Sequence, residues 1–361
     1  MTGRWVVLEP LDTVAVRDGR GFDMGFDAAA HLALPSPATF AGAIGALYDP
    51  AAPGLARADP SAVGTRLPSE VHGPITVRHR SGRWQALFPV PHDVTSSGRE
   101  LSRLELPGGK PSLQHDLDGE VEVLFTDRSG AAVPGEDHWW DAGQLADYLH
   151  EGMLSDPLPT PPWRVERRVG IAREEARTVT EGMFYSAEHL RPGPGVGFAG
   201  RCVGGPPKSL GGTVAFGGEG RRAEVHGDVP GIEFPAAPED FDGGRLLLYL
   251  ATPAVFPGSG WRPELAPLAG DGEPPRLVAA AVGATRVITT GTADRRSGAF
   301  RNGRIMWAAP AGAVYYLRFP GADAAKAAAE RIHGTTIKQA EDWMRTAGFG
   351  LVLTGRWTEG S

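Results

Sequence analysis

The sequence has little cysteine and no long hydrophobic run. Its 361 residues include one cysteine, Cys202, so no disulfide can form within the chain, which fits a reducing compartment. No apolar stretch reaches the roughly 20 residues that cross a bilayer, and the apolar run near the N-terminus is too short for a secretory signal. We therefore expect a soluble, cytoplasmic protein.

An excess of positive charge is also missing. The chain has 36 Lys and Arg against 43 Asp and Glu, a formal net charge of −7. A self-sufficient nucleic-acid binder is usually basic, so any nucleic-acid binding must be local or shared with a partner subunit. The length favours two domains, and 50 glycines with 32 prolines predict many loops.

The familiar catalytic and ligand-binding motifs are absent. The segment GRCVGGPPKS (200–209) places Pro207 where a phosphate-binding loop needs glycine before its lysine. Ser259 lacks the frame of a nucleophile elbow, and the histidines are not at metal-ligand spacing. The sequence therefore predicts no catalytic constellation, no metal site and no cofactor.

One segment, residues 163–192, concentrates arginine, glycine and aromatic residues without a simple strand or helix period. Arginine offers a planar fork to phosphate, but the neighbouring glutamates could neutralise these arginines locally. On spacing alone, a solvated, salt-bridged segment is slightly favoured. The arginines are Arg164, Arg167, Arg168, Arg173 and Arg177.

Periodicity and capping signals predict mixed strands and few helices, an α+β fold. A helix over 34–48 is indicated by Ser36 as N-cap and Pro37 at the first helical position, and Asp141 begins a second helix through His150. Residues 91–135 are expected to be an insertion or mobile loop. An acidic, Pro- and Gly-rich segment at 227–244 marks the domain boundary.

The remaining elements follow from apolar runs and breakers. We expect strands at 5–8, 75–77, 84–88, 195–202, 245–256, 277–291 and 311–319, a glycine-interrupted hairpin at 210–225, a basic loop at 292–304, helices at 323–333 and 336–346, and a glycine turn that feeds a last strand at 348–357. Gly348 by default caps the last helix.

Several blocks, taken together, resemble one family. They are EPLDTVAVRDGRGFD (9–23), LPSPATFAGAIGAL (34–47), FPVPHD (88–93), ERRVGIAREEARTVTEGMFYSAEHLRP (166–192), GGEGRR (217–222), PAGAVYYL (310–317) and GFGLVLTGRW (348–357). They are similar to the RAMP-superfamily subunit at the crRNA 5′-handle position of type III-B CRISPR (Cmr) effector complexes. The blocks at 166–192 and 17–23 are the specific ones.

The resemblance implies two modified ferredoxin-like (RRM-like) domains with loop insertions, which we place at 1–235 and 236–361. It also implies a non-catalytic subunit. That subunit would bind the 5′ handle of the crRNA and dock on the large polymerase/cyclase-like subunit and on a backbone subunit of the Cmr complex.

The resemblance and the exposed basic turns together give a set of expected RNA-binding residues. Glycine turns can hold phosphate oxygens through backbone N–H groups, and Phe184 and Tyr185 would stack on unpaired bases. The expected set is Arg17, Arg20, Arg167, Arg168, Arg173, Arg295, Arg296, Gly348, Gly350 and Gly355.

Two alternatives remain open at this point. The chain could be a metal-independent endoribonuclease of the same superfamily, with His31, His189 and Tyr185 as acid–base residues. It could instead be a scaffold that binds protein alone. Because arginines and glutamates are mixed in the 166–192 block, we expect some arginines to be locked to carboxylates or to a neighbouring subunit, and only a few to face RNA.

Overall fold

The computed structural model of the chain describes residues 3–16, 34–49, 67–97, 100–107, 121–128, 131–132, 138–158, 160–173, 179–205, 209–258, 260–293 and 300–358. For residues 170–173, 179–187, 289–293 and 300–304 the description covers the backbone alone.

The described residues form mostly antiparallel strands. The strands are β1 Arg4–Pro10, β2 Glu70–Arg80, β3 Arg83–Pro89, β4 Val94–Ser97, β5 Glu100–Arg103, β6 Trp139–Asp141, β7 Trp163–Arg173, β8 Val179–Pro192, β9 Val196–Val203, β10 Thr213–Ala215, β11 Arg222–Val229, β12 Arg245–Leu250, β13 Arg276–Ala281, β14 Arg286–Ala293, β15 Phe300–Ala308, β16 Val314–Arg318 and β17 Val352–Arg356. The helices are α1 Pro37–Tyr48, α2 Ala142–Glu151, α3 Ala266–Ala269, α4 Ala322–Ile332 and α5 Asp342–Ala347.

Local capping chemistry sets the two helices of the first half where the sequence predicts them. Ser36 accepts a hydrogen bond from the backbone N–H of Thr39, and Pro37 follows it at the first helical position. Asp141 and Gln144 form a reciprocal capping box, and Gly152 ends α2 in the left-handed conformation. Among the described residues, no helix is long and apolar enough to cross a membrane.

Two sheets organise the fold. The first has the strand order β10-β11-β1-β9-β2-β3-β6, and the second has the order β13-β16-β12-β17, with antiparallel pairing throughout. Helix α1 packs on one face of the first sheet through Phe40 and Ile44, which join Val6 and Leu8 in one core cluster. The α+β class is therefore confirmed.

The largest core cluster contains side chains from both sheets. Val7 and Phe88 of the first sheet share it with Tyr249, Tyr316 and Leu353 of the second. The sheets thus bury apolar surface jointly. The chain passes from one sheet to the other between β11 and β12, and the domain division at 235/236 stays a prediction.

Several predicted elements are wrong in detail. Residues 91–135 are not wholly a loop, since β4 pairs with β5, and Glu105 and Phe125 form an isolated bridge. Residues 163–173 and 179–192 form the two paired strands of the β7–β8 hairpin. The strand period was hidden because Val165 and Val169 lie on the exposed face and charged residues lie on the opposite one.

The predicted helix at 336–346 is also wrong over its first half. The backbone N–H of Ile337 donates to Gly350 O, and that of Ala340 donates to Val255 O. These bonds hold an extended segment, and the helix spans Asp342–Ala347 alone. The described parts of the predicted basic loop at 292–304 belong to β14 and β15.

A buried carboxylate connects elements that are distant in sequence. Asp93 is fully buried and accepts hydrogen bonds from Arg103 Nε (2.8 Å), Tyr148 Oη (2.7 Å) and Tyr316 Oη (2.5 Å). The Arg103 guanidinium also lies over both tyrosine rings. Burial raises the pKa of Tyr148 and Tyr316 well above the usual range, so both hydroxyls remain protonated donors. The network joins β5, α2 and β16.

Removing the cation from this network should strongly destabilise the protein. Arg103→Met leaves the Asp93 charge buried without its cation, and we expect a loss of about 3–5 kcal/mol in the free energy of unfolding, measured by urea denaturation. The double variant D93N/R103M should recover part of this loss. The exposed pair Arg128–Glu100 gives the control, because Arg128→Met should cost less than about 1 kcal/mol. Equal losses in R103M and R128M would contradict the structural role.

Candidate nucleic-acid and partner interface

The β7–β8 hairpin, which carries the arginine-rich block, presents two different faces. Val165 and Val169 are 57% and 61% exposed, and the Arg167 side chain between them is 71% exposed. Glu166 and Arg168 alternate with these residues and therefore point to the opposite face. Arg167 Nη2 donates to Glu188 at 3.1 Å on the neighbouring strand. The outward face thus carries two exposed valines with the Arg167–Glu188 ion pair between them.

The opposite face of the hairpin holds a charge cluster that also takes in the segment after β1 and the turn before β11. Asp12 Oδ2 accepts from Arg168 Nη2 (3.1 Å) and Arg221 Nη1 (2.9 Å), and Asp12 Oδ1 lies 3.0 Å from Arg191 Nη1. Glu166 accepts from Arg168 Nε at 2.8 Å and also from Arg191 Nε. The three arginines and two carboxylates fasten the hairpin to the first sheet.

Within the charge cluster, the arginines hydrogen-bond to carboxylates of the same chain. Hydrogen bonds from Arg191 and Arg168 lower the pKa of Glu166 to about 2, and the Arg168 hydrogen bond lowers the pKa of Asp12. Both carboxylates therefore stay ionised at neutral pH. Arg168 is locked to carboxylates as the mixed composition predicts, which leaves its guanidinium less able to bind phosphate.

His189 lies buried beneath the charge cluster. Its Nδ1 is 2.9 Å from Thr13 Oγ1, and its Nε2 is 3.1 Å from Glu219 Oε2. Burial lowers the pKa of His189. Its imidazole is closed to solvent, so it has no access to a substrate. Of its proposed acid–base partners, His31 lies outside the described residues, and Tyr185 is described in its backbone alone.

The other predicted arginines fall mostly beyond the described residues. Arg17, Arg20, Arg295 and Arg296 lie outside them, and Arg173 is described in its backbone alone. Their contact with RNA stays a prediction.

The three predicted glycines are buried against the chain itself. A Cβ at Gly348, where φ is +106°, would lie 2.2 Å from Gly73 O of the first sheet. A Cβ at Gly355 would lie 2.7 Å from Leu149 O on α2. The N–H of Gly348 donates to Arg345 O, and that of Gly350 donates to Pro253 O. All three glycines therefore approach other parts of the chain closely. RNA contact by the glycines stays a prediction.

A second series of hydrogen-bonded polar side chains connects the two sheets beside Gly348. Glu70 Oε1 accepts from Arg345 Nη1 at 2.7 Å, and Glu70 Oε2 lies 3.0 Å from His72 Nε2. Arg201 Nη2 lies 3.0 Å from His72 Nδ1 and donates to Gly334 O. Neutral His72 satisfies both neighbours if Nε2–H donates and Nδ1 accepts. Burial lowers the pKa of His72, although Glu70 opposes the shift.

Two features of the surface are not predicted from the sequence. The two-stranded β14–β15 ribbon exposes Ile305 and Trp307, the latter by 58%; no spacing signal marks an exposed tryptophan. Among the described residues, Glu9, Glu224 and His226 form the one group of three side chains placed to share a metal ion. The sequence predicts no metal site because these residues lie on strands that are far apart along the chain.

Comparison with known proteins gives a family and a fold. The family model described as CRISPR-associated protein (Cas_Cmr3) matches residues 6–357. The chain is similar to a chain in the cryo-EM structure of the Type III-B Cmr-beta bound to cognate target RNA, with a TM-score of 0.50, 17% identity and 86% of each chain covered. A chain in the Cmr-beta structure bound to cognate target RNA and AMPPnP, state 1, gives a TM-score of 0.47, 15% identity and 86% of each chain covered. No curated protein matches. At these identities the solved structures show the fold alone.

The packing at Gly348 predicts opposite effects for two glycine substitutions. Gly348→Ala combines a left-handed backbone with overlap on Gly73 O, and we expect a loss of at least about 2 kcal/mol in the free energy of unfolding. Gly42 is exposed on α1 with no atom within 4 Å of an added Cβ, so Gly42→Ala should stabilise by about 1 kcal/mol. Chemical denaturation measures both. A Gly348→Ala variant as stable as wild type would show that the loop lies away from β2.

The buried histidines predict a loss of stability in mild acid. The folded-state pKa is lowered for His72, His189 and His333, by burial in each case. The unfolded chain therefore binds more protons below about pH 6.5, and the free energy of unfolding falls as the pH drops from about 6.5 toward the lower folded-state pKa values. The melting temperature should decline between pH 7.5 and 5.0, and His72→Gln should flatten that decline. His79→Gln, at an exposed site, should not flatten it. A decline confined to below about pH 4.5 would instead indicate the carboxylates.

Proposed function

Because this chain belongs to the Cas_Cmr3 family of CRISPR-associated proteins, we propose that it is a non-catalytic subunit of a type III-B Cmr effector complex. In this role it binds the 5′ handle of the crRNA and bridges the large polymerase/cyclase-like subunit to the backbone subunits. The match of the family model over residues 6–357 carries the proposal. The net charge of −7 supports RNA held jointly with neighbouring subunits.

The strand orders support two modified ferredoxin-like domains, at 1–235 and 236–361. In a β-α-β-β-α-β unit, the fourth strand lies beside the first, then come the third and second. The second sheet has this arrangement, with β17, β12, β16 and β13 in those places and with α3 and α4 as connections. In the first sheet β11, β1, β9 and β2 take the same places. No helix lies between β9 and β11 in the part of the chain described, and β10 occupies that connection.

The outward face of the β7–β8 hairpin supports a protein contact. Val165 and Val169 would gain by burial against an apolar partner surface, whereas a phosphate backbone would gain little from them. Arg167 lies between the two valines and pairs with Glu188 of its own chain, and its exposed guanidinium has further N–H groups for a partner carboxylate. We assign this face to a neighbouring Cmr subunit, and Arg168 to the hairpin's own attachment.

The β14–β15 ribbon supports an RNA contact. Arg295 and Arg296 are placed by sequence between the two strands of the ribbon, and Trp307 exposes its ring on β15. An exposed aromatic ring is suited to stack on an unpaired base; Trp307 pairs with Val287, at the end of the ribbon away from the connection that holds Arg295 and Arg296. RNA contacts at Arg17, Arg20 and Arg173 are part of the same proposal.

Co-purification tests the proposed function. A tagged chain expressed with its Cmr partners should recover the large subunit and RNAs that share one 5′ end. RNA binding should weaken with salt in proportion to the phosphates neutralised. Recovery of neither the large subunit nor a uniform RNA would overturn the proposal. Specific cut products from repeat RNA incubated with the protein in EDTA would overturn its non-catalytic part.

Two substitutions should separate the two surfaces. Arg167→Glu should reduce recovery of a protein subunit about tenfold, which corresponds to about 1.4 kcal/mol, with RNA affinity of the purified chain unchanged. Trp307→Ala should weaken RNA binding by about 1–3 kcal/mol with protein recovery unchanged. Arg128→Glu, which breaks one exposed ion pair elsewhere, is the matched control. The reverse pattern of losses would exchange the two assignments.

A further inference from the structure

The pairing of β1 with β11 places two glutamates directly opposite each other. Glu9 pairs with Glu224 in the antiparallel register, so their side chains share one face of the sheet. His226 lies two residues further along β11 and therefore points to the same face. One ligand atom from each of the three side chains lies within 4.8 Å of the other two, which is close enough for a single ion to touch all three.

The two carboxylates lack a cation among the described residues. Like charges directly opposite on paired strands are destabilising, and no described Lys or Arg forms an ion pair with Glu9 or Glu224. Arg222, the nearest arginine along β11, directs its guanidinium to Thr213 at 2.7 and 2.9 Å. The described compensation is the hydrogen bond between His226 Nε2 and Glu9 Oε2, at 3.0 Å. Glu224 has no such partner in the described part of the chain.

The imidazole is held in position from two sides. The ring of His226 packs against Trp84 with centroids 5.3 Å apart, and Trp84 in turn packs against His79 at 4.9 Å. Nε2 faces Glu9 Oε2 at 3.0 Å, so a bound ion would take the place of the proton that these two atoms share. Glu9 and His226 are half-buried, and Glu224 is exposed. The three ligand atoms are therefore ordered by the sheet, with one side open to solvent.

We propose that Glu9, Glu224 and His226 form a binding site for a divalent transition-metal ion such as Zn²⁺ or Mn²⁺. One imidazole nitrogen with two carboxylate oxygens suits these ions, whereas Mg²⁺ and Ca²⁺ prefer oxygen ligands alone. Neutral His226 binds the ion through Nε2 while its ring proton resides on Nδ1. Solvent water completes the coordination on the open side. The site is independent of the proposed CRISPR function.

Metal titration of the full chain tests the site. After EDTA treatment and dialysis, calorimetric titration with Zn²⁺ or Mn²⁺ should show one site per chain, and bound metal should raise the melting temperature. Because loss of a partner that only orients a ligand costs about 10–100-fold in affinity, Glu224→Gln and His226→Gln should each weaken binding at least about tenfold. Glu264→Gln, at a half-buried glutamate that pairs with Lys338, is the control and should bind as wild type does. Equal binding by wild type and Glu224→Gln, or no binding, would overturn the proposal.

Two further readouts separate a metal site from a structural contact. Without metal, Glu224→Gln relieves the like-charge pair and should hold or raise the melting temperature, whereas a lowered value would assign the carboxylate to the fold and overturn the proposal. Binding of Mg²⁺ as tight as that of Zn²⁺ would overturn the imidazole's role.

Discussion

The buried Asp93 carboxylate is the constraint on which the joining of the two sheets depends. A buried charge is costly unless it is paired and hydrogen-bonded, and Asp93 receives Arg103, Tyr148 and Tyr316. These three residues come from the β4–β5 hairpin, from α2 and from the second sheet. The insertion between β3 and α2 is therefore part of the core, because it supplies both charges of the network.

In the arginine-rich hairpin, too, charged side chains are paired within the chain. Asp12 and Glu166 engage Arg168, Arg191 and Arg221, so arginine density along the chain overstates the positive surface that a ligand meets. The charged side chains on one face of the hairpin attach it to the first sheet, and the other face carries two exposed valines. In the concentrated basic segment of this acidic chain, Arg168 and Arg191 are therefore paired within the chain itself.

Sequence reasoning succeeds where the signal is local. Ser36 with Pro37, Asp141 and the C-capping Gly348 set helix ends through side chains or backbone conformations within one turn. It fails where distant residues decide the structure. The β7–β8 strands keep their register although their valines face outward, and Gln339 keeps its segment extended by bonding to Val255 N. His226 and Glu9 are 217 residues apart along the chain, so their spacing in the sequence does not reveal that they lie close together.

Packing between the two sheets explains why glycines occupy the terminal loop, without a ligand. Gly348 lies against the backbone of Gly73, and the adjacent Glu70 pairs with Arg345 on the helix that Gly348 caps. A side chain at Gly348 would push this helix from β2, which would separate Glu70 from Arg345. The glycine loop therefore fixes the relative position of the two sheets. The β7–β8 hairpin is attached to the first sheet through the charge cluster, and the β14–β15 ribbon packs with Val255 and Met344 in one core cluster, so that position also sets the spacing between the hairpin and the ribbon.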